Sequence, residues 1–425
     1  MNFYKICKKR NNFDYIKLIF IIFFVTFSII SNFSFSYSYS SFDYSWTNID
    51  NTKIVSSDIG NKKIENDNFL NLESTSAILI EQSSGEILYN HNIHEKLYPA
   101  SVTKVMSILL IMENLNNNKF ELSTKVPCSE KAASMGGSQI WLDPKEELSV
   151  DDMLKAICVN SANDCVVAMA EFIAGSEEAF VDLMNDKAKQ LGMNDTSFKN
   201  CHGLDEEGHY TSTYDISLMS KELLNKYPEI TKYTTIWLDT LRDGKSELSN
   251  TNKLIKNYKG ATGLKTGSTS LAKYNLSASA TRDNLSLIAV IMKAPSTKLR
   301  FNEARKLLDY GFNTYTIKSF GKKDETIDKI NILKGTKNEL NVKLKNDANI
   351  LVDKGNENNI TKIINLPKAI EAPISKDQVL GCIEFKINDE TVNKIDLIAI
   401  EDIEKTNPLN MAKKIISKWF SLLKK

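Results

Sequence analysis

Apolar and polar positions alternate with different periods in different parts of the chain. Ser76-Ala-Ile-Leu-Ile-Glu and Ile87-Leu-Tyr-Asn are apolar runs of strand length, and the Ser-Ser-Gly between them predicts a hairpin. Helical spacing then takes over. It predicts a helix from about Ser101 to Asn114 and a second that opens on a Ser149/Asp152 capping box and ends near Val159. A third helix is expected from Asn163 to Ile173 before Gly175, and a fourth, capped by Ser176, stops at Gly192. The strand period returns at Leu264 to Ser268, Tyr274 to Thr281 and Leu285 to Met292, the last two joined by the polar turn Arg282-Asp283-Asn284. A helix from Thr297 to Tyr310 is expected to close on Gly311 as its C-terminal cap. Strands, then helices, then antiparallel strands describe an α+β layered domain.

From about residue 320 to 405 the runs are short and β-like: Ile330 to Leu333, Leu340 to Leu344, Asn349 to Val352 and Leu380 to Phe385, with polar turns between them. Their spacing predicts a small all-β domain. No internal repeat is present.

The two ends carry address-like patterns. Lys5, Lys8, Lys9, Arg10 and Lys17 precede the apolar run Leu18 to Ile30, which is too short for a comfortable membrane span and has the form of an export signal. No A-x-A site follows, so a cleaved signal and an uncleaved anchor are both open. The segment after it, up to residue 72, is rich in Ser, Asn and Asp and has the composition of a linker. At the other end, Met411, Ile415, Ile416, Trp419, Phe420, Leu422 and Leu423 fall on one helical stripe, with Lys413, Lys414, Lys418, Lys424 and Lys425 largely off it. That pattern suits a helix lying in an anionic membrane surface. The other reading is a helix packed on its own domain; the terminal position after Pro408 favours the membrane. The expected division is an export segment 1–37, linker 38–72, α+β domain 73–318, β domain 319–405 and amphipathic helix 406–425.

Composition narrows the function classes. A formal net charge of +1 gives no basis for a nucleic-acid partner. The 6 cysteines show neither metal nor redox spacing, and the 4 histidines lack the helical HExxH context of a zinc peptidase, so no metal and no organic cofactor is expected. Basic residues are almost all lysine, which singles out Arg10, Arg242, Arg282, Arg300 and Arg305.

Three short motifs carry chemistry. Ser101-Val-Thr-Lys104 puts a hydroxyl and an amine one helical turn apart, and a desolvated lysine can act as base toward a serine. Ser161-Ala-Asn163 offers a hydroxyl and an amide between two helices, a pattern that elsewhere is an ordinary N-cap. Lys265-Thr-Gly267, on a strand, joins an ammonium, a hydroxyl and a glycine that allows close approach, a set suited to a carboxylate beside an extended peptide. Each alone is weak.

In this order the motifs resemble those of penicillin-binding proteins and serine β-lactamases. Tyr98-Pro-Ala-Ser-Val-Thr-Lys, Met135-Gly-Gly-Ser-Gln-Ile-Trp-Leu, Asn200-Cys-His-Gly-Leu-Asp, Gly263-Leu-Lys-Thr-Gly-Ser, Tyr274-Asn-Leu-Ser-Ala-Ser-Ala and Leu307-Leu-Asp-Tyr-Gly-Phe are similar to the D-alanyl-D-alanine carboxypeptidase family of low-molecular-weight penicillin-binding proteins. The Gly-Gly-Ser-Gln form resembles its Gram-positive, often spore-forming subgroup. The resemblance runs from about residue 70 to 405 and extends to the tail, which such enzymes use as an anchor.

The resemblance implies a transpeptidase-like α+β domain followed by a β domain. It also implies a serine-type carboxypeptidase that removes the terminal D-alanine from peptidoglycan stem pentapeptides and is acylated by β-lactam antibiotics. Ser101 would be the nucleophile, Lys104 its general base, and Ser161 the relay toward the leaving D-alanine. Asn163 would hold the stem-peptide amide, while Lys265, Thr266 and Gly267 would face the substrate's carboxyl end. The N–H groups of Ser101 and Ser268 would form an oxyanion hole, and Arg300 falls where the family often has a carboxylate-binding arginine. Its plainer reading is a surface helix charge. The enzyme would be exported and attached peripherally to the outer face of the cytoplasmic membrane. Ser268 is smaller than the residue common there, and Asp377-Gln378 replaces a turn where glycine is common. A D,D-endopeptidase and a β-lactamase are the neighbouring alternatives, the latter disfavoured by Ala162 in place of the usual aspartate. A non-catalytic wall-binding scaffold is the alternative from another class.

Overall fold

The computed structural model describes residues 68–407. The expected export segment, the linker up to residue 67 and the amphipathic helix from residue 408 onward lie outside the described residues. Among the described residues no helix is long and apolar enough to cross a membrane.

The hairpin β1 (Ser76–Glu81) and β2 (Ile87–His91) opens the larger layer. It is followed by α1 (Lys104–Asn116), α2 (Val150–Lys155), α3 (Asn163–Ala174), α4 (Glu177–Gln190) and α5 (Thr213–Lys226). A small hairpin, β3 (Leu238–Leu241) and β4 (Ser246–Ser249), precedes β5 (Ala261–Thr269), β6 (Lys273–Arg282), β7 (Leu285–Ala294) and α6 (Thr297–Thr314). The antiparallel sheet has the order β2-β1-β7-β6-β5.

Alternation along the central strands explains why they are apolar throughout. Ile78, Ile80, Ile288, Val290 and Met292 join the core made with the helices α1 to α5, whereas Ala77, Leu79, Leu287, Ala289 and Ile291 pack with α6. Each face of the sheet is covered, so both sets of side chains leave water. A fully buried side chain of this size contributes about 1.5–3 kcal/mol. Serines begin four of the helices, Ser149 and Ser176 as expected and Ser212 and Ser296 besides; each accepts from the backbone N–H three residues on. Ser149 also donates to Asp152 Oδ2 at 2.7 Å.

Gly311 is not a cap. The helix α6 continues through it to Thr314, and a Cβ built at Gly311 would lie 2.5 Å from Leu287 Cδ1 and 3.0 Å from Leu79 Cδ2. The missing side chain lets α6 lie close on the sheet. The first helix also begins differently, as a 3-10 turn over Ala100–Thr103 that passes into α1.

Strand β8 (Tyr315–Ser319) leaves α6 and spans the expected boundary at residue 318. The β domain then adds β9 (Thr326–Leu333), β10 (Glu339–Leu344), β11 (Asn349–Asp353), β12 (Ile360–Asn365), β13 (Ala369–Glu371), β14 (Val379–Ile387) and β15 (Glu390–Ala399). Strand β8 pairs with β11, and the remaining six form a sheet of order β12-β14-β15-β10-β9-β13. Val342, Leu344, Phe385 and Leu397 centre its core. Asp377 takes a left-handed φ of 62° in the turn where glycine was expected to be common.

Candidate active site

Three segments converge: the turn before α1, the loop between α2 and α3, and strand β5. In a 3-10 turn residues i and i+3 eclipse, which stacks Ser101 over Lys104. Lys104 Nζ donates to Ser101 Oγ at 3.1 Å. Ala100, just before the serine, has a φ of +49°, a conformation that costs a residue with a Cβ roughly 1–2 kcal/mol. The turn is clamped from β6: the Asn275 amide donates to the carbonyls of Tyr98 (2.8 Å) and Pro99 (3.0 Å), and its oxygen accepts from Lys293 N–H. From β5, Gly267 backs directly onto it, since a Cβ there would fall 2.9 Å from both Pro99 O and Ser101 N.

Lys104 is wholly buried. Its other two donors go to Asn163 Oδ1 (2.6 Å) and the carbonyl of His202 (2.7 Å). All three acceptors are uncharged, so nothing bonded to the ammonium offsets its desolvation in full. Burial lowers its pKa to about 7, against the weaker opposing pull of Cys201 and Asp164.

Helix α2 ends in a π turn over Ala156–Asn160, and Ser161 follows with a left-handed φ of 64°. Its Oγ is buried with no hydrogen-bond partner, a state that costs about 1–3 kcal/mol when nothing else satisfies it. Two residues on, Asn163 opens α3. Its N–H donates to Ser138 O (2.7 Å) and its Nδ2 to Gly136 O (2.7 Å). One end of this amide thus holds Lys104 and the other a loop. What remains for a peptide is the second amide N–H and the second lone pair of the oxygen.

On β5, Lys265 is 1% exposed and donates to the Thr266 carbonyl at 2.9 Å. Burial, then the positive charges of Lys104 and Arg300, hold its pKa well below the usual lysine range. Thr266 Oγ1 donates to Thr251 Oγ1 at 2.7 Å. Ser268 is exposed near the end of the strand, paired with Tyr274. Arg300 is no surface charge: it is 6% exposed, and its Nη1 donates to the carbonyls of Gly267 (3.2 Å) and Asn275 (3.1 Å). Its guanidinium lies 4.7 Å from the Phe301 ring centroid, and burial brings its pKa down to about 10. Its Nε is buried without a partner.

The structure therefore bonds Lys104 to Ser101 and Asn163, sets Gly267 against Ser101, and brings Arg300 to the carbonyl side of the same strand. Ser161 joins the set through its neighbour Asn163. A serine with an adjacent low-pKa amine can act as a nucleophile, and the buried Arg300 guanidinium, bonded to the strand that backs onto it, favours an anionic group nearby. Sequence reasoning missed His202, Asn275 and Thr251. An asparagine within a strand is disfavoured, so Asn275 in Tyr274-Asn-Leu-Ser was a usable signal. His202 acts through its backbone carbonyl, which side-chain identity does not reveal. His202 and His209 both have pKa values lowered to about 4, first by burial, and are neutral at pH 7.

Residues 61–296 match the family model described as D-alanyl-D-alanine carboxypeptidase, and residues 315–405 match that of the penicillin-binding protein 5 C-terminal domain. With the fold, these matches define the class as penicillin-binding serine peptidases. The chain belongs to the D-alanyl-D-alanine carboxypeptidase family. It is 47% identical over 351 residues to the D-alanyl-D-alanine carboxypeptidase DacF of Bacillus subtilis, covering 82% of this chain and 90% of that protein. Among solved structures, penicillin-binding protein 5 from Haemophilus influenzae superposes with a TM-score of 0.71 at 30% identity, covering 79% of this chain and 98% of that one. Ampicillin-bound penicillin-binding protein D2 from Listeria monocytogenes matches with a TM-score of 0.53 at 30% identity, over 57% of this chain and 99% of that one.

Proposed function

We propose that this protein is a serine D-Ala-D-Ala carboxypeptidase that removes the terminal D-alanine from peptidoglycan stem pentapeptides and is acylated by β-lactams. The observation that carries the mechanism is the buried Lys104 amine, 3.1 Å from Ser101 Oγ and with a pKa lowered to about 7.

Neutral Lys104 accepts the Ser101 proton as Oγ attacks the carbonyl carbon of the D-Ala–D-Ala bond. The N–H groups of Ser101 and Ser268 stabilise the oxyanion, a contribution of about 3 kcal/mol per donor. The carbon–nitrogen bond breaks, and the leaving nitrogen takes a proton relayed through the Ser161 hydroxyl, so that D-alanine departs as a free amino acid. Lys265, Thr266 and Arg300 hold the terminal carboxylate, and Asn163 holds both Lys104 and the stem amide. Water then attacks the ester, giving its proton to Lys104, and Oγ leaves with a proton. In a β-lactam the cleaved amide nitrogen stays tethered to the acyl group, so the ester persists.

The basic, apolar N-terminal run and the lysine-flanked C-terminal stripe support export and peripheral attachment to the outer face of the cytoplasmic membrane. Two successive family matches, the second beginning at residue 315, support a catalytic domain followed by a β domain, in the order of the division 73–318 and 319–405.

Intact mass after benzylpenicillin, together with D-alanine release from a pentapeptide, tests the reading. A long-lived adduct on the wild type, none on Ser101→Ala, and D-alanine release by the wild type alone are expected. A rapidly hydrolysed adduct indicates a β-lactamase, and an unlabelled, inactive wild type a scaffold. Deleting residues 408–425 is expected to release the enzyme from anionic vesicles; unchanged binding would make the N-terminus the anchor.

A further inference from the structure

Arg242 lies outside the catalytic set, in the β3–β4 hairpin. Its guanidinium forms a two-bond fork with Glu146 (Nε to Oε1 2.6 Å, Nη2 to Oε2 2.8 Å) and donates to the carbonyls of Ile140 (2.8 Å) and Trp141 (3.1 Å). From the other side, Asp164 Oδ2 accepts from the N–H groups of Ile140 and Leu142, each at 3.1 Å. Ile140 and Leu142 are buried, while Trp141 between them has a φ of +60° and is 75% exposed. A large aromatic side chain is thus held in the open on a left-handed, multiply bonded backbone.

The loop that carries Trp141 is tied to the site. Gly136 and Ser138 give their carbonyls to Asn163, Gln139 gives its carbonyl to Asn160, and Asp164 directly follows Asn163. A Cβ at Gly137 would lie 2.9 Å from Asn163 Nδ2 and 3.8 Å from Leu204 Cδ2. Leu204 is itself 38% exposed, and the next residue, Asp205, accepts from Thr269 Oγ1 (2.6 Å) and Leu271 N–H (3.4 Å) beyond the end of β5. Leu271 is 52% exposed. Leu204 and Leu271 thus add exposed apolar side chains on two further segments, tied through Gly137 to Asn163 and through Asp205 to the end of β5.

We propose that Trp141 selects substrate, its indole forming a platform for the aliphatic side chain that precedes the D-Ala–D-Ala unit in the stem peptide. This rests on the carboxypeptidase reading above. With the terminal carboxylate held at Lys265 and Arg300, the acyl half of the substrate leaves Ser101 on the side of Asn163, whose partner loop leads to Trp141. The Ile140 and Trp141 carbonyls and Glu146 already accept from Arg242, and the Gln139 carbonyl from Asn160. A methylene chain therefore fits this surface better than a sugar, whose hydroxyls need free partners.

The test compares Trp141→Ala, Trp141→Phe and Arg242→Gln with wild type on three substrates: N-acetyl-D-Ala-D-Ala, a sugar-free pentapeptide with a diamino acid at its third position, and the same pentapeptide on its disaccharide. Trp141→Ala is expected to lower kcat/KM for both pentapeptides about tenfold, chiefly through KM. The short substrate and the rate of acylation by benzylpenicillin should be unchanged. Trp141→Phe recovers most of the loss, and Arg242→Gln falls between. Equal losses on all substrates, or none on the free pentapeptide, overturn the proposal; a loss confined to the disaccharide form overturns it in favour of a sugar contact. Quenching of tryptophan fluorescence in Ser101→Ala by the free pentapeptide, absent when Trp141→Phe is added, reads the same contact without turnover. A wild type that releases no D-alanine would instead refute the carboxypeptidase reading, while the titration still reports on Trp141.

Discussion

The two catalytic-site lysines of the α+β domain contrast with the paired surface lysines of the β domain. In the α+β layer Lys104 and Lys265 are 0% and 1% exposed, and Lys104 spends its donors on uncharged oxygens. In the β domain Lys329, Lys334 and Lys337 pair with Glu339, Glu371 and Glu401 while more than half of each lysine side chain faces water. Burying an ammonium without a carboxylate costs free energy, which shows as a lowered pKa and makes the amine a base at neutral pH. Exposed pairs are screened and contribute little. The same residue type is therefore chemistry where it is buried without a carboxylate and solvation where it is paired at the surface, as Lys189 and Lys226 of the α+β layer also are.

The largest effect that sharpens this contrast is expected from the catalytic pair. Ser101→Ala should lower D-alanine release by about four orders of magnitude or more. Lys104→Ala should lower kcat/KM roughly 10²–10⁴-fold, and Lys104→Arg should not rescue it, because a guanidinium stays protonated. Next comes the carboxylate side. Arg300→Met should reduce kcat/KM about tenfold on a peptide with a free carboxyl end, and much less on the same peptide with that end amidated. An equal loss on both would assign Arg300 to folding of β5 rather than to substrate. Gly311→Ala, which forces a methyl group toward Leu287, should destabilise the α+β layer by about 1–3 kcal/mol in a denaturant titration while leaving the active-site geometry alone. At the small end, replacing Lys334 and Lys337 by Ala together should leave activity and the melting temperature within experimental scatter. A clear loss there would break the contrast itself.

The sequence made the fold legible wherever one period held over a whole element. The hairpin, five helices and three sheet strands of the α+β layer follow from apolar spacing and serine caps. Helix α5 was passed over although Ser212-Thr-Tyr-Asp215 begins it with a capping pattern, and Ser212 does accept from Asp215 N–H. In the β domain four strands were legible, but not β15, a central strand whose first half is largely polar, nor β12 and β13, which lie at the sheet edges with mostly polar or half-exposed residues where alternation is weak. Gly311 was misread because a glycine late in a helical pattern signals a cap, while close packing on Leu79 and Leu287 is a tertiary reason that no local pattern contains. At the site, motif order brought out Ser101, Lys104 and Lys265, but not the His202 carbonyl or the Asn275 clamp, which depend on chain segments far apart in sequence.

The most direct test is the pH dependence of acylation by benzylpenicillin, followed by intact mass. With Lys104 as the base, its pKa lowered to about 7, the amine is neutral above that pH and protonated below it. The second-order rate should rise with pH and reach half its maximum near 7, and below that it should fall about tenfold per pH unit. A rate that is flat from roughly pH 5 to 9, or that rises only near the ordinary lysine value of about 10, would contradict proton transfer from Ser101 to a desolvated Lys104.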